Sequence, residues 1–250
     1  LFDVEDSLSG LVLRSMRQDK LDTAQLGKEL QSALEEWIAE KEKQSMSSAA
    51  AAETRLDEQI KKGLRAYLEG KESEAKRVLS PLAETSNNPI PATVLGYMKI
   101  DGLGKPRNFA EGDAFFKKRD KLFKENQASY KDAFAQILPL VEKYAAEENA
   151  RAQFLLGKMF SGGWGLPEDA QKAVSWFHKS AEKGHSLGQY NLGFMYKNGR
   201  GVHQDDRKAA EWNRKAAEQG YALAQSNLGW MFMKGEGVPQ DDHKAAEWFL

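Results

Sequence analysis

The sequence predicts an all-α fold, a solenoid of stacked helix-turn-helix repeats. A Leu-Gly pair recurs every 36 residues, at positions 156–157, 192–193 and 228–229. Counted from the glycine of each pair, further glycines recur six and eight residues later, an alanine recurs sixteen residues later and a tryptophan recurs nineteen residues later. Such a period is typical of helical arrays in which no unit can bury its apolar face alone. The recurring residues are Gly163, Gly199 and Gly235; Gly165, Gly201 and Gly237; Ala173, Ala209 and Ala245; and Trp176, Trp212 and Trp248.

Composition excludes several classes of function. The 250 residues carry a net charge of −1, so the chain lacks the strongly basic character of a nucleic-acid-binding domain. No apolar run approaches the ~20 residues that cross a bilayer, and we expect no direct membrane insertion. Cysteine is absent, which excludes disulfides and thiolate metal sites but suits both the cytosol and an oxidising periplasm. Because the chain begins with Leu1 and ends inside a motif, we expect it to be cut from a longer one.

Residues 1–57 do not carry the repeat and are predicted to form an N-terminal helical cap or tail followed by a linker. Asp22 is a plausible N-cap for a helix that runs to about Lys43. This helix either covers the open first face of the array or docks into its groove or onto a partner. Ser45–Thr54 has the small-residue composition of a linker or a frayed helix, and residues 1–44 could be foreign to the chain. The apolar face of the helix comprises Leu26, Leu30, Ala33, Leu34, Trp37 and Ile38.

The solenoid is predicted over residues 58–250. It begins with a tetratricopeptide-like unit at 58–90, followed by units at 91–149, 150–184, 185–220 and 221–250, the last truncated. In the second unit, the interval from Gly96 to Gly157 exceeds the period by 25 residues. We expect an insertion at about 117–141, either a lengthened second helix or an additional hairpin, which adds a contact surface. The basic run at its start favours a solvated helix face. That run comprises Lys117, Lys118, Arg119, Lys121 and Lys124.

Each position of the repeat has a structural explanation. Gly193 lies within the first helix of its unit (helix A), where glycine costs about 1 kcal/mol relative to alanine, and this indicates close approach of another helix. The paired glycines that follow permit a left-handed turn. Asp205 or Asp206, and in the next unit Asp241 or Asp242, can cap the second helix (helix B). Gly184 and Gly220 are placed to end helices.

Three segments together resemble one repeat family. They are AQFLLGKMFSGGWGLPEDAQKAVSWFHKSAEKG, GQYNLGFMYKNGRGVHQDDRKAAEWNRKAAEQG and AQSNLGWMFMKGEGVPQDDHKAAEWFL. They are similar to the Sel-one-like repeat (SLR) family, a relative of the tetratricopeptide repeat. The resemblance implies a right-handed α-α superhelix that serves as a scaffold or adaptor for protein complexes, frequently in bacterial envelopes, secretion systems and signalling. It implies no catalytic residues.

A partner-binding surface is predicted on helices A. The residue after each anchoring glycine lies two positions beyond a core leucine, about 200° around the helix, and should face away from the buried side. Aromatic residues at such a position are typical anchors of interfaces, although a tightly curled superhelix could bury them instead. The residues at this position are Tyr97, Lys158, Phe194 and Trp230, and their predicted neighbours in the groove are Phe154, Tyr190 and Asn191.

No chemical motif supports a catalytic, metal or cofactor site. The four histidines show no paired spacing with a glutamate, and capping explains the adjacent aspartates. No nucleophile elbow or phosphate-binding loop is present. The preferred hypothesis is a non-enzymatic bacterial scaffold or adaptor that binds a protein or peptide in its concave groove. The alternative is an immunity protein that neutralises a secreted toxin; an enzyme is least favoured. We expect the cell envelope or periplasm rather than the cytoplasm, while partner and oligomeric state stay open.

Overall fold

The computed structural model describes residues 23–101 and 108–249, and all regular secondary structure in these ranges is α-helical. This confirms the predicted fold class. The helices are α1 (Thr23–Leu68), α2 (Glu72–Thr85), α3 (Pro89–Asp101), α4 (Phe109–Glu125), α5 (Gln127–Ala146), α6 (Ala150–Gly162), α7 (Ala170–Glu182), α8 (Ser186–Asn198), α9 (Asp206–Glu218), α10 (Ala222–Lys234) and α11 (Asp242–Phe249). None of these described helices combines the length and apolarity needed to cross a membrane.

The chain divides into two compact units, Leu1–Glu58 and Gln59–Leu250. Within Leu1–Glu58, α1 is helical through Ser45–Thr54, because the alanine-rich sequence there has high helix propensity. Leu34, Trp37 and Ile38 are exposed within it. The predicted cap at Asp22, and the side chains of Leu26, Leu30 and Ala33, lie outside the described residues. A capping or docking role for this helix therefore stays a prediction.

Within Gln59–Leu250, helices pack against their neighbours in chain order. Helices A are α3, α6, α8 and α10, and helices B are α4, α7, α9 and α11. The anchoring glycine of each helix A lies against the side chain twenty residues later in helix B. A Cβ on Gly157 would lie 2.6 Å from the Phe177 ring, and one on Gly193 would lie 2.8 Å from the Asn213 amide nitrogen. The close approach predicted from these glycines is confirmed.

The recurring tryptophans lie beside this contact and occupy equivalent surroundings. Trp176 and Trp212 are both half-buried. Lys179 Nζ lies 4.1 Å from the ring centroid of Trp176, and Lys215 Nζ lies 4.1 Å from that of Trp212. Each lysine ammonium group thus lies over the face of its ring in a cation–π contact. The 36-residue period therefore repeats the side-chain environment as well as the backbone.

The turn between helices A and B also repeats. Gly199 ends α8 in the left-handed conformation with φ 61°, and Gly201 has φ 70°. A Cβ on Gly201 would collide with the backbone of α7 in the preceding unit, 2.8 Å from the amide nitrogen of Gln171 and still closer to the carbonyl group of Ala170. Gly237 approaches Asp206 and Arg207 of α9 in the same way. The second glycine of each turn therefore serves both conformation and packing between units.

Aspartates begin the helices B. Asp205 Oδ1 accepts from the Lys208 amide at 3.0 Å, and Asp241 Oδ1 accepts from the Lys244 amide at 3.0 Å. Of the two aspartates predicted for each cap, the first one, Asp205 or Asp241, therefore forms it. The backbone hydrogen bond, reinforced by the nearby lysine, lowers the pKa of Asp205 below its ordinary value. Gly184 and Gly220 follow the ends of α7 and α9 with φ of 83° and 76°, as predicted.

The predicted insertion is an additional helix, α5, which forms a hairpin with a lengthened α4. Asn126 separates them and accepts from the Ser129 amide at 3.1 Å to begin α5. Helix α4 packs on its own helix A, α3, whereas α5 packs on α6 of the next unit. A Cβ on Gly165 would lie 2.9 Å from Ala135 Cα of α5. Helix α5 thus contacts the glycine turn of the next unit, as α7 and α9 do in later units.

The two roles of glycine can be separated by matched substitutions. Gly184 and Gly201 both have positive φ, but a Cβ on Gly184 would meet no atom within 4 Å. We expect Gly184→Ala to lower the free energy of unfolding by about 1–2 kcal/mol through backbone strain alone. Gly201→Ala should cost at least ~2 kcal/mol more, because the array must open to admit the methyl group. Urea denaturation followed by circular dichroism measures both, and equal losses would contradict a role for the inter-unit contact.

Candidate functional site

A groove of about 540 Å³ opens between helices A of successive units, with α4 as one wall. Its lining comes from α3, α4, α6, α8, α10 and the residue preceding α10. Five of the seven residues predicted for partner binding line it, namely Tyr97, Phe154, Lys158, Tyr190 and Asn191. The structure therefore brings most of the predicted set together. Residues that the sequence analysis did not select, among them Phe116, Arg119, Tyr221 and Leu223, complete the lining.

The floor of the groove is aromatic and buried. Tyr97 is 5% exposed and Phe154 1%. Of the two alternatives for these aromatics, an exposed interface anchor or a buried packing residue, both side chains follow the second. Their ring centroids lie 4.9 Å apart in an edge-to-face arrangement, and Phe116 of α4 contacts Tyr97 from the other side at 5.1 Å. Phe154 also lies beside Phe177 and His185. These rings support the groove by packing, because little of their surface remains for a partner.

Phe194 and Trp230 behave as predicted. They are 40% and 54% exposed, unusually high fractions for large aromatic side chains. Neither lines the groove itself, but each occupies in its own unit the position that Lys158 occupies on α6. Together, Lys158, Phe194 and Trp230 form a row of three equivalent positions, which we call the outward row. The groove and the outward row meet at Lys158.

Lys158 is the half-buried cation of the groove. Its Nζ lies 5.6 Å from the ring centroid of Trp164, and within the described residues no carboxylate lies within ion-pair distance of it. Burial, and after it the positive charges of Arg119 and Arg200, lowers the pKa of Lys158 to about 8, against a smaller opposite effect of Asp120. A lysine in this setting gains more from an incoming anion than a solvated lysine does.

Arg119 is the second cation of the groove, and the solvated face predicted for it is wrong. Its side chain is only 16% exposed, and its guanidinium pairs with Asp120 at 2.6 Å. It also lies 4.7 Å from the ring centroid of Phe116 and 5.5 Å from that of Trp164. The basic run of α4 offered no signal for this burial. The packing of Phe116 could have been predicted from the sequence, because it lies twenty residues after Gly96, as Phe177 does after Gly157.

The opposite wall of the groove comes from the last two units. Tyr190 and Tyr221 contact each other edge to face, with centroids 5.0 Å apart. Leu223 is 49% exposed at the rim. The amide nitrogen of Asn191 donates to the Leu187 carbonyl at 2.7 Å, which leaves its amide oxygen as an acceptor. This wall presents apolar surface with one polar atom, as protein-recognition surfaces commonly do.

A buried polar network links three units below the groove. Asp101 Oδ2 lies 3.2 Å from Arg151 Nε and 3.4 Å from His185 Nε2, and His185 Nδ1 lies 3.3 Å from Ser180 Oγ. The Ser180 hydroxyl donates to the Ala150 carbonyl at 2.8 Å. Burial raises the pKa of Asp101, but the hydrogen bonds and charges of His185 and Arg151 outweigh burial and hold it below its ordinary value.

This network resembles a nucleophilic triad in composition but not in arrangement. Because the Ser180 hydroxyl donates its one proton to the Ala150 carbonyl group, it does not donate to His185. A nucleophilic serine needs the opposite, a histidine that accepts its proton. Ser180 is also 0% exposed. The arrangement is therefore suited to joining units, and within the described residues no cluster of three or more His, Asp or Glu side chains is placed to hold a metal ion.

Comparison with known proteins gives a consistent result. A family model described as Sel1 repeat matches residues 92–118, 150–185, 186–221 and 222–250. The crystal structure of a Sel1 repeat protein from Oxalobacter formigenes is 36% identical, with a TM-score of 0.42, over 44% of this chain and 84% of that one. A protective antigen present in uropathogenic Escherichia coli strains, displaying an SLR fold, is 25% identical with a TM-score of 0.46. That match covers 82% of this chain but only 47% of the antigen. No curated protein matches.

Packing and surface aromatics can be told apart by truncation. We expect Phe154→Ala to lower the free energy of unfolding by about 3–5 kcal/mol, because it leaves a cavity among buried rings. Phe194→Ala should cost less than about 1 kcal/mol, since Phe194 is 40% exposed and its truncation leaves no closed cavity. Both values come from urea denaturation of purified variants. A large loss for Phe194→Ala would show that it packs rather than binds.

The Asp101 network predicts an acid dependence of stability. With its pKa lowered on folding, Asp101 stabilises the protein fully above the unfolded value of about 3.9 and loses this effect as pH falls through the folded value. We expect Asp101→Asn to reduce the free energy of unfolding at pH 7 by about 1–3 kcal/mol. The difference from wild type should shrink below about pH 4.

Asp113→Asn is the matched control. Asp113 is 61% exposed on the groove's α4 wall, and its one ion pair within the described residues is with the exposed Lys117 one turn away. Its replacement should change stability by no more than about 0.5 kcal/mol at any pH. Thermal melts of both variants between pH 3 and 7 make the comparison, and an Asp101→Asn difference that does not vary with pH would contradict the account.

Proposed function

Because the chain belongs to the Sel1 repeat family, whose members are generally protein–protein interaction scaffolds, we propose that it is a non-enzymatic scaffold or adaptor. It holds a segment of a partner protein in the groove between its helices A. The observation that carries this proposal is the 540 Å³ groove itself, which combines an aromatic floor with a half-buried lysine and an exposed apolar rim. Its location within the cell, and the alternative immunity role, stay predictions.

The construction of the groove suits recognition of a preformed surface. Its floor rests on helices joined by buried rings and by the Asp101 network, so its shape changes little when a partner binds. Aromatic side chains and arginine, the residue types that most often anchor interfaces, contribute to its lining. The rim residue Leu223 and the outward row remain accessible and extend the contact surface beyond the groove.

Three features support a non-catalytic role. The Sel1 repeat fold is typically a protein-interaction fold rather than a catalytic one. Ser180 is buried and donates its hydroxyl proton to the Ala150 carbonyl rather than to His185, so His185 does not activate it for nucleophilic attack. Lys158 has no general acid or base paired with it among the described residues. Each of these chemistry-bearing groups therefore has a structural or binding explanation.

Site-specific photocrosslinking tests the proposal. A benzophenone amino acid replaces Leu223 at the groove rim, and a matched variant carries it at Glu211, an exposed position on α9 outside the groove. In the host cell, we expect irradiation of the Leu223 variant to yield a defined adduct with another protein, identified by mass spectrometry. The Glu211 variant should yield little of it. The same adduct in equal amount from both positions, or from Glu211 alone, would place the partner elsewhere.

A further inference from the structure

We propose that the partner segment is an extended acidic-apolar stretch of chain, in which an Asp or Glu side chain pairs with Lys158 and an apolar side chain roughly three to six residues away packs on Phe194. This inference rests on the proposed function and specifies its partner. It follows from three observations: the charge balance of the groove, the spacing of the outward row and the polar atom on the far wall.

Charge balance points to an anionic side chain. Among the described residues, the cations Lys158 and Arg119 and the carboxylate of Asp113 line the groove, Asp113 pairs with Lys117, and Arg200 lies near Lys158. Arg119 pairs with Asp120 at 2.6 Å and Arg200 with Glu168 at 3.1 Å, whereas Lys158 lies over the Trp164 ring and has no ion-pair partner among the described residues. Burying a cation without a counter-ion is costly, and a carboxylate from a partner removes that cost. The lowered pKa of Lys158 agrees with an ammonium group that lacks such a counter-ion.

The spacing of the outward row determines the length of the motif. Lys158, Phe194 and Trp230 occupy one position in three consecutive units, so an extended chain crossing the units passes them in turn. Successive helices A are joined mainly through the helix B between them, so one step of the row spans one to two helix spacings, on the order of 10–20 Å. An extended chain advances about 3.3 Å per residue, so roughly three to six residues correspond to one unit. The acidic residue should therefore be followed or preceded by an apolar residue roughly three to six positions away.

The row also distinguishes an internal segment from a chain terminus. Exposed Phe194 and Trp230 extend the contact surface past the groove. A partner segment that ended in a terminal carboxylate at Lys158 would contact this surface on one side of Lys158 only. Across the groove, the free oxygen of the Asn191 amide can accept from a backbone N–H of the segment. Leu223 and Tyr221 provide apolar surface beside that acceptor. An extended backbone with alternating contacts meets all of these groups.

The test is a double-mutant cycle with a defined peptide. Random twelve-residue peptides displayed on phage are selected against the purified chain, and competition by a soluble consensus peptide is measured for wild type and for Leu223→Asp, which replaces apolar surface at the groove rim by a carboxylate. The consensus peptide and its Glu→Gln version, both amidated at the C-terminus, are then titrated against wild type and Lys158→Met. We expect Glu→Gln to weaken binding to wild type roughly tenfold, as for loss of a charge-assisted hydrogen bond.

In Lys158→Met the same peptide change should alter affinity less than about twofold, because the apolar stem is kept but the counter-charge is gone. Lys179→Met is the matched control: Lys179 also lies over a tryptophan ring, but outside the groove, and its replacement should leave the tenfold effect intact. Circular dichroism melts confirm that each variant is folded. Groove-binding peptides without an acidic residue, or an unchanged Glu→Gln effect in Lys158→Met, would overturn this inference alone. Peptides unaffected by Leu223→Asp would overturn the proposed function with it.

Discussion

The contact between the second glycine of each turn and the backbone of the preceding unit is the constraint on which the solenoid depends. At Gly165, Gly201 and Gly237 the chain is left-handed and no space remains for a Cβ. Both requirements exclude other residues, so each unit can be seated on the previous one in a single way. This fixes the register in which helices A line up. The groove and the outward row are consequences of that register, because they consist of equivalent positions brought side by side.

Helix B performs two tasks in an ordinary unit: it packs on its own helix A and it receives the turn of the next unit. In the unit that carries the insertion, α4 performs the first task through Phe116 and α5 performs the second through Ala135. The array continues without a break, but α4 is released from the inter-unit contact and becomes a wall of the groove. Arg119 and Phe116 reach the groove for this reason. An insertion that leaves both packing contacts intact thus creates a groove wall that the regular units lack.

Much of this architecture could be predicted from the sequence. The left-handed glycines, the aspartate caps and the close approach at Gly193 each follow from a local rule about one residue type. The outward direction of Phe194 and Trp230 followed from helical periodicity alone. Tyr97 and Phe154 did not obey that rule, since their burial depends on Phe116 and on helices from neighbouring units. The burial of Arg119 depends on how the additional helix displaces α4, and no local pattern encodes such a displacement.

Native-state hydrogen exchange on Gly237→Ala tests the central claim most directly, because that substitution lies in one unit and its proposed contact in another. The methyl group would press on Asp206 and Arg207 at the start of α9. The account predicts faster exchange of the amides from Ala209 to Asn213 in the preceding unit, as well as around the turn itself. Faster exchange confined to the turn, with α9 unchanged from wild type, would contradict the claim that these glycines hold the units together.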